Sequence, residues 1–304
     1  MTGALAYALI EQQFPELKPF ALKRLGAGWD NTVFLLQRPD STANGSPLVF
    51  RFPRRSLAVP LFASELKVLK KINLPINTPI PLFEGVPTRR FPHPFVGYTH
   101  VPGETACRAN VEFAQRHQWV KPLAQALRVL HDDAIPEGLV HDDIQRADLN
   151  YRLPRLQQQL ADARSLGIDL PENAIANFVQ HLQSDNFQTA YHAETLPQRL
   201  LHGDLYIRHL MVNTHGELTG FIDWGDTHQG HIATDLGVVY SCLPPHTHSS
   251  FWKHYGPVSE VTQDLARFRA LYSCLYITVY GVDIQDKDLV REGIQGLKWF
   301  GMRC

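Results

Sequence analysis

The sequence lacks the features that mark nucleic-acid-binding and membrane proteins. Its 304 residues carry 29 basic and 30 acidic side chains, so neither sign of charge is in excess. A near-neutral chain has no electrostatic preference for nucleic acid or for a charged membrane surface. No run of about 18 apolar residues occurs, as a transmembrane helix would require. We therefore predict neither a nucleic-acid partner nor a membrane partner.

Cysteine is also scarce, and its spacing matches neither a disulfide framework nor a zinc site. The four cysteines are far apart and form no CxxC pair; they are Cys107, Cys242, Cys274 and Cys304. The first residues lack the cationic start of a signal peptide. We expect reduced, mostly buried thiols in a cytoplasmic protein. With 44% hydrophobic residues, the chain can bury one large core or the cores of two lobes.

What the sequence does contain is a hairpin pattern between Leu200 and Leu236. Two short apolar strands are predicted, Leu210–Val212 and Leu218–Ile222. The residues between them include Gly216, which can adopt the positive φ that such a turn needs. A hairpin of this length brings the residues before its first strand close to those after its second strand.

Two carboxylates flank the predicted hairpin. Asp204 lies upstream of the first strand and Asp223 follows the second, with His202 and His209 in the same neighbourhood. Aspartate most often serves as a cap or a turn residue. Two acids at the ends of buried strands, with histidines beside them, instead favour metal or proton chemistry, and we place the active site here.

These motifs resemble the catalytic core of the aminoglycoside phosphotransferase and choline kinase group, which has the protein-kinase-like fold. His202-Gly203-Asp204 resembles the catalytic loop, in which the aspartate orients and deprotonates the acceptor hydroxyl. Ile222–Asp226 resembles the metal-binding segment, with Asp223 as the ligand. Asp235 resembles the structural aspartate that closes the motif region. We assign His202 to the catalytic loop with Asp204, and we expect its ring to bond backbone groups.

One position departs from the usual family pattern. The family usually has Asn five residues after the catalytic Asp, whereas this chain has His209, as a subset that includes the macrolide kinases does. Mg²⁺ prefers oxygen ligands, whereas imidazole suits softer divalent ions, so Mn²⁺ is a second candidate. His209 could contact the metal directly, act through water, or hold Asp204 in place.

The N-terminal third contains the residues that the resemblance assigns to the nucleotide. Gly26 and Gly28 lie between two predicted strands, with Asn31 following, and resemble a glycine-containing loop over phosphates; a plain hairpin turn is the alternative. Arg51 interrupts an apolar strand where the family places a cation on the phosphates. The alternative is an edge-strand Arg facing water. Glu65, on a predicted helix, matches the glutamate that pairs with this cation.

The resemblance implies an α+β fold with two lobes, residues 1–100 for the nucleotide and 101–304 for catalysis and acceptor binding. The predicted small lobe has five antiparallel strands and one helix. Tyr98 and His100 begin the segment between the lobes, whose backbone would contact the purine. The larger lobe is predicted to be helical apart from the hairpin. Its helices are expected at Val111–His131, Tyr151–Arg164, Asn173–Gln183, around the apolar stripe 265–279, and at Lys287–Phe300.

The implied function is transfer of the γ-phosphate of ATP, or of GTP, to a hydroxyl of a small molecule, with Mg²⁺ as the metal. The alternatives are a regulatory pseudokinase and a metabolic alcohol kinase of the choline, homoserine or methylthioribose type. The acidic segment Asp132–Asp148 fits attraction of a cationic acceptor and a solvated surface equally well. We expect a monomer or a weak dimer.

Overall fold

The chain folds as two compact units. The computed structural model describes residues 1–27, 30–37, 47–194 and 197–302. The first unit consists of Met1–Ile72 and Thr78–Val101, and the second of Asn73–Asn77 and Pro102–Cys304. The second unit therefore also includes a five-residue segment from within the N-terminal third.

The first unit is built on a five-stranded antiparallel sheet, as predicted. Its spatial order is β1-β2-β3-β5-β4. In β2, buried and partly exposed residues alternate, so one face of the strand is turned to the core. The strands are β1 Ala21–Ala27, β2 Asn31–Gln37, β3 Leu48–Pro53, β4 Pro81–Gly85 and β5 Phe95–Thr99.

Two helices complete the first unit, α1 (Gly3–Gln13) and α2 (Val59–Leu69). The predicted single helix is α2. The N-terminal helix α1 buries Ala6, Leu9 and Ile10 in the same core as Phe34 and Phe50, so it belongs to this unit as well. Short 3₁₀ helices cover Pro15–Leu17 and Ser56–Ala58.

The second unit is mainly helical. Its longest helix packs against both the helix that follows the hairpin region and the last helix of the chain. The helices are α3 Val120–Asp132, α4 Leu149–Ser165, α5 Glu172–Leu182, α6 Asp185–Ala193, α7 Ala233–Cys242, α8 His248–Tyr255, α9 Glu260–Asp283 and α10 Lys287–Gly301. Further 3₁₀ turns lie at Trp224–Asp226 and Pro245–Thr247.

The first large-lobe helix is shorter than predicted. Residues Phe113–Trp119 form a 3₁₀ helix, and α3 begins only at Val120. Pro122 explains the difference, because proline fits the first turn of an α-helix but disrupts its interior. As a result Ala114 is exposed and Arg116 is buried.

Five short strands carry the catalytic segments of the second unit. They are β6 Glu104–Thr105, β7 Arg199–Leu201, β8 Leu210–Val212, β9 Leu218–Phe221 and β10 His228–Gly230. The predicted hairpin is β8–β9, and its turn contains Gly216 at φ 75°. Trp119 Nε1 donates to the Gly216 carbonyl at 2.7 Å, which fixes the turn on the helical body.

The composition led to expectations about the cysteine thiols and about membrane-spanning helices. Cys107, Cys242 and Cys274 are buried and carry free thiols. Among the residues described, no helix is both long and apolar enough to cross a membrane.

Candidate active site

Asp204 lies in the loop between β7 and β8. The residue before it has a backbone conformation that requires glycine. Gly203 has φ 87°, a region that other residues rarely adopt. A Cβ at this position would collide with the carbonyl oxygen of Asp226 and with the ring of His228. The tight approach of these two segments therefore depends on Gly203.

Asp235 on α7 holds this loop through hydrogen bonds to its backbone. Its carboxylate accepts the backbone N–H of His202 at 2.8 Å and that of Gly203 at 2.9 Å. It also contacts His131 Nε2 at 3.2 Å, while His131 Nδ1 lies 2.7 Å from the Tyr255 hydroxyl. Burial alone would raise the pKa of Asp235, but the hydrogen bond and charge of His131 lower it overall. Asp235 is thus a buried carboxylate whose partners are all within the chain.

The ring of His202 ties the loop to the end of β9. Its Nε2 lies 3.0 Å from the Ile222 carbonyl, and its Nδ1 accepts the backbone N–H of Asp204 at 3.4 Å. A carbonyl can only accept, so the proton is on Nε2 and the ring is neutral. Complete burial also lowers the pKa of His202. This arrangement fits the expected bonding to backbone groups.

His209 lies between Asp204 and Asp223. Its Nδ1 is 2.7 Å from the Asp204 carbonyl oxygen, and its Nε2 is 3.4 Å from Asp223 Oδ2. Because the carbonyl takes the Nδ1 proton, the neutral ring directs the Nε2 lone pair at a carboxylate. Two acceptors that face each other at this distance need a cation or a proton between them.

Asp223 itself occupies an unusual backbone conformation. Its φ is 64° and its ψ 67°, in the left-handed region, and its side chain is half exposed. Asp tolerates this region better than most residues, at a cost of about 1–3 kcal/mol. The conformation ends β9 abruptly and turns the carboxylate towards His209.

Two arginines contact carboxylates in this region. Arg269 Nη2 on α9 lies 4.0 Å from Asp204 Oδ1. Arg146 pairs with Asp226 at 2.6 Å and with Asp142 at 3.0 Å. Burial, together with the nearby charges of Asp204 and Asp223, raises the pKa of Asp226, while Arg146 opposes that shift.

In the first unit the structure brings together three of the predicted nucleotide residues. Arg51 Nη1 lies 2.7 Å from Glu65 Oε1, and Glu65 is 1% exposed. The side-chain amide of Asn31 is oriented so that its nitrogen and its oxygen both have a hydrogen-bond partner. In this orientation the oxygen accepts from Arg51 Nη2 at 2.9 Å. The guanidinium also lies over the Phe62 ring. The predicted pairing of Arg51 with Glu65 is present.

The other predicted nucleotide residues lie elsewhere in the first unit. Tyr98 is buried in β5, its ring 6.0 Å from the Arg51 guanidinium carbon. His100 follows β5, and partial burial lowers its pKa. Gly26 lies at a bulge in β1 with open space beside it. Gly28 lies outside the described residues.

Comparison with known proteins decides the family. A model of the phosphotransferase enzyme family matches residues 21–271. The chain belongs to this family. The predicted resemblance and the prediction of a phosphotransferase are therefore confirmed.

Solved structures of the same fold accompany the family match. The phosphotransferase is similar to the GDP complex of aminoglycoside 2'-phosphotransferase-IIIa, with 20% identity, 99% of each chain covered and a TM-score of 0.68. It is similar to a streptomycin–ATP ternary complex of APH(2'')-IIa at 16% identity, with 98% of this chain and 96% of that chain covered and a TM-score of 0.56. A macrolide 2'-phosphotransferase from Brachybacterium faecium matches at 17% identity, with 91% of each chain covered and a TM-score of 0.55. The search of curated proteins found no match.

The residues present in this phosphotransferase fit a divalent metal that is shared with a substrate. Among the described residues there is no group of three or more His, Cys, Asp and Glu side chains that could enclose a metal. Mg²⁺ is usually held by one or two carboxylates together with substrate phosphates and water. Asp223 Oδ2 and His209 Nε2, facing each other at 3.4 Å, provide such a partial site.

Neither Arg269, which lies beside Asp204, nor Arg146 was predicted from the sequence as a site residue. Arg269 follows Phe268 in the apolar stripe of α9, and Arg146 lies within the acidic segment. A charge inside an apolar stripe is a usable signal, because a buried charge requires a partner. The identity of that partner depends on how α9 packs, which local spacing does not reveal.

Proposed function

We propose that this phosphotransferase moves the γ-phosphoryl group of ATP or GTP to the hydroxyl of a small molecule, with Asp204 as the catalytic carboxylate. The observation that carries the proposal is the arrangement of Asp204, His209 and Asp223 in one part of the second unit. Nucleotide complexes of proteins with this fold support the choice of donor, since they contain GDP, ATP or ADP.

In the proposed reaction the acceptor hydroxyl attacks the γ-phosphorus in line. A P–O bond forms to the acceptor, the bond to the β-phosphate oxygen breaks, and that electron pair leaves with the nucleoside diphosphate. The hydroxyl proton passes to Asp204, whose side chain is 38% exposed and is aimed by the loop bonds to Asp235. Bound metal would neutralise charge on the transferring phosphates.

The other residues have positioning roles in this proposal. His202 fixes the loop through its two backbone contacts. Asp223 and His209 would hold the metal, and Arg51, itself held by Glu65, would bind phosphate oxygens. Asn31 steadies the Arg51 guanidinium, and the backbone near Tyr98 and His100 contacts the base.

Acceptor-dependent nucleotide turnover tests the proposal. Purified protein is incubated with Mg²⁺ and either ATP or GTP, together with kanamycin, erythromycin, choline or homoserine, and phosphorylated products are sought by mass spectrometry. We expect slow release of phosphate to water without acceptor and faster release with a suitable acceptor. Asp223→Ala should lose both activities. Tight nucleotide binding with no turnover under any condition would overturn the proposal in favour of a pseudokinase.

A further inference from the structure

The side chain of Arg269 is held in a fixed position beside Asp204. Its Cγ lies against α7 at Gly237, where an added Cβ would come within 2.9 Å of it. Only 16% of the side chain is exposed, and the guanidinium points to the side of Asp204 that carries Oδ1. The absence of a side chain at Gly237 therefore determines the position of the Arg269 guanidinium.

The guanidinium of Arg269 lacks the hydrogen bonds that buried arginines normally make. Its distance to Asp204 Oδ1, 4.0 Å, is beyond hydrogen-bond range, and within the described ranges it donates to no other residue. By contrast, the buried Arg116 contacts Glu292 at 2.7 Å. A mostly buried guanidinium with five donors is costly unless something accepts from them. Its donors are therefore available to a hydrogen-bond acceptor from outside the chain.

The position of Arg269 relative to the catalytic carboxylate indicates which ligand would supply that hydrogen-bond acceptor. Asp204 presents Oδ2 to His209, at 3.7 Å, and Oδ1 to Arg269. His209 belongs to the proposed metal side, where the nucleotide phosphates would lie. Arg269 therefore faces the other oxygen of Asp204, where the acceptor would approach.

The charges around Arg269 are of both signs. Burial, with the neighbouring Arg146 and Arg152, lowers the pKa of Arg269, while Asp204 and Asp142 oppose that shift; the guanidinium remains charged at physiological pH. Arg152 lies over the Tyr272 ring and donates to the Gln145 carbonyl at 3.0 Å. A group next to the reacting hydroxyl would therefore meet guanidinium groups as well as carboxylates.

Three carboxylates of the acidic segment 132–148 have partners within the chain. Asp132 pairs with Arg128, Asp142 pairs with Arg146, and Asp148 caps the N-terminus of α4 by accepting the Asn150 N–H at 2.8 Å. Carboxylates engaged in this way are poor attractors of a cationic acceptor.

We propose that the acceptor of this phosphotransferase carries an oxyanion, a carboxylate or a phosphate ester, and that Arg269 binds it. The inference rests on the proposed function and adds the chemical class of the acceptor. A guanidinium binds either group through two parallel hydrogen bonds of about 2.8 Å. Because the guanidinium is only 4.0 Å from Asp204, the oxyanion and the reacting hydroxyl are separated by only a few bonds. A small hydroxy acid or a polyol phosphate has this shape.

Binding of matched small probes tests the assignment without knowledge of the natural acceptor. The protein, saturated with ADP and Mg²⁺, is titrated by calorimetry with D-glycerate, glycerol 3-phosphate, glycerol and kanamycin. Kanamycin is included as the cationic alternative, since a solved structure of this fold contains it. We expect at least one anion to bind more tightly than glycerol and kanamycin, and which anion binds identifies the carboxylate or the phosphate ester.

Variants on the same helix make the test specific. Arg269→Gln should weaken binding of the anion about 10- to 100-fold, as expected for loss of charged hydrogen bonds, and Arg269→Lys should recover part of the loss. The matched control is Arg267→Gln, because Arg267 is also largely buried but pairs with Asp264 at 3.3 Å. The control should bind the anion as the wild type does.

The outcomes separate this inference from the proposed function. Absence of anion binding in the wild type, binding unchanged in Arg269→Gln, or kanamycin bound more tightly than either anion would overturn the assignment. The slow hydrolysis of ATP or GTP without acceptor is measured separately on the same wild-type preparation. If hydrolysis proceeds while no anion binds, only the role of Arg269 is wrong; if no hydrolysis occurs, the phosphotransferase proposal itself fails.

Discussion

At the scale of single residues, the two ring nitrogens of His209 have different surroundings. Nδ1 is engaged by the Asp204 carbonyl at 2.7 Å, whereas Nε2 faces Asp223 at 3.4 Å. One side chain thus holds the backbone of the catalytic residue and offers a nitrogen lone pair beside a carboxylate. Support for Asp204 through Nδ1 is compatible with either of the other two roles considered from sequence, direct or water-mediated metal ligation through Nε2.

A metal profile of His209→Asn tests direct ligation. Asparagine offers an oxygen ligand, which Mg²⁺ prefers, whereas imidazole suits Mn²⁺ better. The variant should retain activity with Mg²⁺, and the ratio of its Mn²⁺ rate to its Mg²⁺ rate should be lower than that of the wild type. The measurement is kcat with each metal in turn. Equal ratios in the two proteins would argue for support of Asp204 alone.

The ion pair between Arg51 and Glu65 leads to a prediction for nucleotide binding. Arg51→Ala removes a bidentate phosphate donor and should raise KM for the nucleotide, with a smaller effect on kcat. Because Glu65 is 1% exposed and loses a partner 2.7 Å away, the melting temperature should fall as well. Steady-state kinetics and thermal unfolding measure the two effects. Arg55→Ala, which removes an exposed pair with Asp30, is the control and should change Tm less.

At the scale of elements, α7 begins beside the catalytic loop and is preceded by a buried neutral histidine. His231 is 6% exposed; its Nδ1 accepts the Ala233 N–H at 3.3 Å, and its Nε2 lies 3.5 Å from the Thr262 hydroxyl. Burial, with a smaller contribution from His131, lowers the pKa of His231 to about 4. The helix that supplies Asp235 is thus packed around an imidazole that resists protonation.

This histidine predicts a pH dependence of stability. Its folded pKa, about 4, is below its unfolded value, so the unfolded state binds more protons between pH 4 and about 6.5. Stability is therefore complete above about pH 6.5 and is lost as the pH falls towards 4, by up to about 3 kcal/mol. Chemical denaturation across this range should show a shallower loss in His231→Gln than in the wild type. Parallel profiles for the two proteins would mean that His231 does not bring about the loss.

Sequence periodicity predicted most elements because their patterns are local. The hairpin β8–β9 follows from two apolar runs and Gly216, and α10 follows from its apolar face. The predicted start of α3 was wrong because the apolar pattern extends further upstream, whereas Pro122 has to lie in the first turn of the α-helix. The short strands β7 and β10 were not predicted, since three-residue strands owe their existence to pairing with distant partners.

At the scale of the whole molecule, the site residues predicted from sequence are those that belong to compact motifs. Asp204, His209 and Asp223 lie within twenty residues of one another, and their spacing alone indicates proximity. The partners of Asp204 from elsewhere depend on tertiary packing. Arg269 reaches Asp204 because α9 packs against α7 at Gly237, a contact between residues 32 positions apart that no local period encodes.

The central claim is that Asp204 aims the acceptor hydroxyl and takes its proton, and the turnover of Asp204→Asn tests it most directly. Asparagine keeps the size and one acceptor oxygen but cannot accept the proton, so turnover should fall by about 10²–10⁴-fold. Nucleotide affinity, measured by calorimetry on the same preparation, should barely change, because Asp223 and Arg51 remain intact. Turnover at the wild-type rate would contradict the account.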